Sequence, residues 1–93
     1  MKHNIIVKFK EDVVLDDILE DIKSIFNETL TIEGIHQVDY LVNCIDRSNR
    51  YHLCIQITMD KEALSTYDGC IPHKTWKQKY GPLIESKAIF DYE

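Results

Sequence analysis

Ninety-three residues, 44% of them hydrophobic, 29% charged and 10% aromatic, supply one ordinary globular domain, near the lower size at which a single core holds a fold without disulfide or metal. A formal charge of −5, with 11 basic residues scattered among 16 acids, argues against the clustered basic face that a nucleic-acid partner requires. Cys44, Cys54 and Cys70 are an odd number without regular spacing, which points away from a disulfide framework and towards a reducing compartment. The opening Met1-Lys2-His3-Asn4 lacks the apolar stretch of a signal peptide, and no apolar run reaches membrane-spanning length, so the expected address is cytoplasmic, with no membrane partner.

From Lys2 to Phe9 the chain reads as a strand, with Ile5, Val7 and Phe9 on one face and Ile6 on the other. A helix follows, capped by Asp16, in which Leu15, Ile18, Leu19, Ile22, Ile25 and Phe26 recur at spacings of three and four and form one stripe towards a core. Beyond Glu33-Gly34 the pattern becomes alternating, with Val38, Tyr40, Val42 and Cys44 on one side of a second strand. Asp46-Arg47-Ser48-Asn49 is turn chemistry. The third strand, Tyr51 to Met59, has the cleanest alternation: Tyr51, Leu53, Ile55, Ile57 and Met59 face the core, and His52, Cys54, Gln56 and Thr58 face away. Asp60 is positioned to cap a short helix through Tyr67, Gly69 breaks it, and Pro72 opens another helical segment to Tyr80, which Gly81-Pro82 stops. Ser86 to Tyr92 is a last strand. Ala88, Phe90 and Tyr92 alternate there against Lys87, Ile89 and Asp91.

Strand, helix, strand, strand, helix, strand in one four-stranded antiparallel sheet, with the helices on one face, is the α+β ferredoxin-like arrangement βαββαβ. The other face would then expose Ile6, Ile89 and part of the second strand, and a partner sheet is the economical cover.

The residues that carry chemistry are few. His3, Tyr67 and His73 could move a proton or orient a carbonyl without metal or cofactor. Each also has a plainer role: His3 hydrogen-bonded at a sheet end, Tyr67 in the core, His73 exposed at a helix start. Cys70 and His73 have C-x-x-H spacing, but no second pair completes a zinc site, so no metal is expected. Trp76 and Tyr80 share a helix face and should pack on the sheet, with Trp76 as a stacking platform the sharper idea. The acidic pairs Glu11-Asp12 and Asp16-Asp17 fall on a loop and a solvated helix face. No phosphate loop or serine-hydrolase elbow is present.

Three segments in this order, Lys2-His3-Asn4-Ile5-Ile6-Val7-Lys8-Phe9-Lys10, Tyr67 to His73 and Ile89-Phe90-Asp91-Tyr92, resemble the stress-responsive A/B barrel (Dabb) family over essentially the whole length, residues 1–93. The resemblance implies a dimeric α/β barrel, in which two sheets close on each other with the helices outside. It also implies a pocket between sheet and helices, lined in the enzymatic branch by histidines and a tyrosine at the positions of His3, Tyr67 and His73. The family often carries a further histidine in the third strand and a His-Pro-x-His run after the tyrosine; Leu53 and Cys70 stand at those places here, and His52 would point to the dimer-facing side.

The resulting expectation is a cytoplasmic homodimer, stress-associated, without cofactor, binding a small apolar or aromatic molecule. Its pocket would have His73, Tyr67 and His3 at the polar end and Ile5, Val7, Leu53 and Trp76 along the walls. A cofactor-free enzyme of the polyketide-cyclase kind, with His73 as base, is the alternative from a different class. A purely structural oligomer is the third.

Overall fold

A computed structural model describes all 93 residues. Strand β1 (Lys2–Phe9) leads to helix α1 (Leu15–Asn27), strands β2 (Ile35–Val42) and β3 (Leu53–Met59), helices α2 (Leu64–Asp68) and α3 (Ile71–Tyr80), and strand β4 (Ile84–Tyr92). The four strands form one antiparallel sheet in the order β2-β3-β1-β4, the ferredoxin-like topology expected from the element order.

The core lies between this sheet and the helices. Ile5, Val7 and Phe9 of β1 and Leu53, Ile55, Ile57 and Met59 of β3 meet Ile22, Ile25 and Phe26 of α1 and Tyr67, Trp76 and Tyr80 from α2 and α3. Each large aliphatic side chain fully removed from water there contributes about 1.5–3 kcal/mol, which is why the alternation of β3 survives intact in the structure. Gly34, with φ of 90°, turns the chain into β2, and Ala63 packs 3.0 Å from where its Cβ would stand.

The helix starts differ from expectation. Asp16 and Asp60 do not cap. Helix α1 begins at Leu15 behind Val14, without a side-chain cap, because Leu15 itself packs on the core, and Asp16 becomes a first-turn acid that favours the helix dipole. Asp60 precedes a 3-10 turn, and its carboxylate lies 3.0 Å from His36 Nε2 instead. Strand β2 stops at Val42 and Cys44 is exposed: after a last cross-strand bond from the Asn43 amide to the His52 carbonyl (3.0 Å), the Asn43 side chain donates to the Ile45 carbonyl (2.6 Å) and accepts from its amide (3.3 Å).

Two further corrections concern β3 and β4. Tyr51 and His52 lie before β3, so His52 does not take a place on the dimer-facing side. Its Nδ1 accepts the Phe9 amide hydrogen at 3.0 Å and its ring stacks on Phe9, at the point where the β1–β4 register shifts. In β4 the register pairs Ile5 with Ile89 and His3 with Asp91, which turns Ile89 towards the helices rather than to the uncovered face. Ile6, Ala88, Phe90, Tyr92 and Leu41 occupy that outer face, with Phe90 60% exposed. Asn4, Gln56 and the Tyr92 hydroxyl form a hydrogen-bonded row across it: Gln56 Nε2 donates to Asn4 Oδ1 at 2.9 Å and to the Tyr92 oxygen at 3.2 Å.

Candidate functional site

A cavity of about 330 Å³ opens between the β1–β4 edge of the sheet and helices α2 and α3. His3 and Ile5 reach it from β1, Lys87, Ile89 and Asp91 from β4, Leu64, Tyr67 and Asp68 from α2, and His73, Trp76 and Lys77 from α3. Strand alternation explains the β4 contribution: residues 87, 89 and 91 lie opposite Val7, Ile5 and His3 and share their face. Helical spacing explains the α3 contribution, because His73, Trp76 and Lys77 fall three and four residues apart on one side.

Tyr67 is fully buried at the centre of this group. Its ring meets His3 edge-on at 5.3 Å and lies tilted over His73 at 4.7 Å. Its hydroxyl has no hydrogen-bond partner in the protein, a condition that costs a buried group about 1–3 kcal/mol. Burial pushes the hydroxyl well above the ordinary tyrosine range, with Cys70 and Asp68 adding in the same direction, so it stays a neutral donor.

Both histidines have fixed partners on Nδ1. His3, 6% exposed, holds Nδ1 2.5 Å from Asp91 Oδ1, and His73 holds Nδ1 2.9 Å from the Asp68 carbonyl oxygen. A carbonyl or an ionised carboxylate only accepts, so in each ring Nδ1 carries the proton and the neutral form keeps its lone pair on Nε2. The arrangement supplies two oriented imidazoles and one unpartnered phenol, a set able to accept a proton and to donate to an oxygen.

His3, Tyr67, His73, Ile5 and Trp76 therefore share one cavity. Val7 and Leu53, expected along its walls, are buried in the core instead and do not reach the cavity. Trp76 packs edge-on against Phe26 at 5.2 Å, so it serves the core and the cavity wall together. Asp91, Lys87 and Ile89 escaped the sequence reading; the signal was the antiparallel register that sets Asp91 opposite His3. No cluster of three or more His, Cys, Asp or Glu side chains is arranged to hold a metal ion, and no helix is long and apolar enough to cross a membrane. A cavity of similar volume near Val14 and Val42 is lined by Asp16, Asn43 and His52, with one imidazole and no tyrosine.

No family model and no curated protein matches the chain. Solved structures do. A protein of Arabidopsis thaliana shares 23% identity with a TM-score of 0.79, covering 99% of this chain and 92% of its own. A Dabb family protein with a ferredoxin-like fold from Mesorhizobium loti shares 21% identity with a TM-score of 0.76, over 99% and 93% of the two chains. A dimeric ferredoxin-like protein of unknown function from Bacteroides fragilis shares 21% identity with a TM-score of 0.72, over 99% and 93%. The resemblance carried by the opening strand, the Tyr67–His73 segment and the closing strand is thus met by the fold, which is that of the Dabb proteins.

Proposed function

We propose that the chain is a single Dabb-type domain working in the cytoplasm as a stress-associated homodimer that binds a small, partly apolar or aromatic molecule in the cavity between sheet and helices. The observation that carries this reading is the buried Tyr67 hydroxyl, which lacks a partner within the protein while its residue lines that cavity. A ligand oxygen accepting from it would recover a hydrogen bond that the fold alone leaves unmade. The dimer is supported by the exposed Phe90, Tyr92 and Leu41 on the sheet face that no helix covers. The stress association and the cytoplasmic address come from the family resemblance and the composition.

Tyr67→Phe separates ligand binding from a structural role. A hydroxyl present for the fold would cost stability when removed; one present for a ligand should leave the thermal midpoint unchanged or higher and weaken binding by roughly tenfold. Native mass spectrometry of both proteins purified from the same cells reads the bound small molecule directly. Equal retention by wild type and Tyr67→Phe sinks the reading, and an empty wild-type dimer leaves the structural oligomer.

The two oriented imidazoles favour a second reading, a cofactor-free carbon-acid catalyst. There His73 Nε2 takes the proton and the Tyr67 hydroxyl donates to the developing oxyanion, while His3, with its Nδ1 hydrogen held by Asp91, offers Nε2 as a second acceptor. His73→Ala should then lower turnover by about a hundredfold or more, the usual contribution of a positioned base, whereas a binding protein should lose only about tenfold in affinity.

A further inference from the structure

We infer that the ligand of this cavity is an amphipathic carboxylate, its apolar body against Ile5, Leu64, Trp76 and Ile89 and its charged end between Lys77 and Lys87. The inference rests on the ligand-binding reading of the same cavity. Lys8, Lys23, Lys61 and Lys79 each have an acidic partner; Lys2, Lys10, Lys74, Lys77 and Lys87 form no ion pair, and of these five Lys77 and Lys87 are the two exposed at the cavity. Of the two acids that also line the cavity, Asp91 is already engaged by His3, which leaves Asp68 as the one free carboxylate against two free ammonium groups. Tyr67 adds an independent pointer: its buried, unpartnered hydroxyl is kept protonated, and its hydrogen calls for an acceptor. A carboxylate is the acceptor that also answers the two ammonium charges.

Octanoate and octan-1-ol provide the test, since they share one apolar chain and differ in charge. Trp76, the chain's one tryptophan, stands in the cavity wall and reports binding through its fluorescence. At low salt octanoate should bind the wild-type protein about tenfold more tightly than octan-1-ol, and added salt should narrow the gap as the exposed ammonium groups are screened. Lys77→Met/Lys87→Met should remove most of that advantage while leaving octan-1-ol within about twofold and the thermal midpoint unchanged, because both lysines are exposed. Equal affinity for the two probes, or an octanoate advantage that persists in the double variant, overturns the carboxylate assignment and leaves the apolar cavity standing. Failure of both probes to bind overturns the assignment together with the reading on which it rests.

Discussion

Three of the five tyrosines have hydroxyls that burial shifts upward, each in a different arrangement. Tyr40 shares its one hydroxyl hydrogen between Asn27 Oδ1 and the Lys23 carbonyl, Tyr80 donates to the Asp21 carboxylate, and Tyr67 has no partner. Burial pushes Tyr40 up to about 12; burial, followed by the Asp21 hydrogen bond and charge, does the same for Tyr80, and Tyr67 moves further in the same direction. A folded-state value above the unfolded one means that the unfolded chain loses these protons first. Stability from these groups is therefore complete below about pH 10, the ordinary tyrosine value. It falls as the pH rises towards 12 and beyond. An alkaline titration followed by circular dichroism and tyrosinate absorbance should show the three phenols ionising together with loss of structure; free ionisation in an intact fold would contradict their placement. At this scale the sequence disclosed His3, Tyr67 and His73 by residue type alone. It could not disclose Asp91, whose meaning depends on a partner 88 positions away.

Among the elements, β3 and β4 behave as opposites. Strand β3 is central, between β2 and β1, and its inner face is apolar at every position, so the alternation had one interpretation and the structure keeps it. Ile55→Asp places an unpaired carboxylate at a fully buried site and should unfold the domain, at a cost of several kcal/mol against a total stability of about 5–15 kcal/mol. His52→Ala removes one acceptor from the Phe9 amide and should cost about 1 kcal/mol. Urea melts of the two variants check the order, and a reversed ranking would mean that His52, not Ile55, anchors this end of the sheet. Strand β4 is amphipathic on both faces: Ile89 sits among charges on the inner face while Phe90 and Tyr92 make the outer one aromatic, so hydrophobicity alone assigned Ile89 to the wrong side. The helix starts were misread for a related reason. Capping preference is worth about 1 kcal/mol, less than the packing of Leu15 that decides where α1 begins.

For the whole molecule the element order and two apolar periodicities were enough to reach the ferredoxin-like sheet, because few topologies satisfy both. The cavity was less legible, since it is assembled from β1, β4, α2 and α3, and only long-range pairing sets their separation. The uncovered face carries the assembly prediction. Light scattering at micromolar concentration should return twice the monomer mass, with roughly 2,000 Å² or more buried in total. Phe90→Asp, at a residue 60% exposed in the single chain, should shift the protein to monomer without unfolding it. A wild-type monomer, or a Phe90→Asp dimer as tight as wild type, would remove the barrel.

Strand β4 is one ribbon with two clients. Lys87, Ile89 and Asp91 line the cavity, and Ala88, Phe90 and Tyr92 alternate with them on the sheet face that no helix covers. It is also an edge strand, held within the chain by β1 alone. In the proposed dimer, contacts that steady its outer face would steady the inner one, which would link association to cavity occupancy through a single backbone. Dilution that separates the subunits should loosen the cavity, and a ligand that fills the cavity should hold the subunits together, which makes the apparent affinity for any small molecule a function of protein concentration.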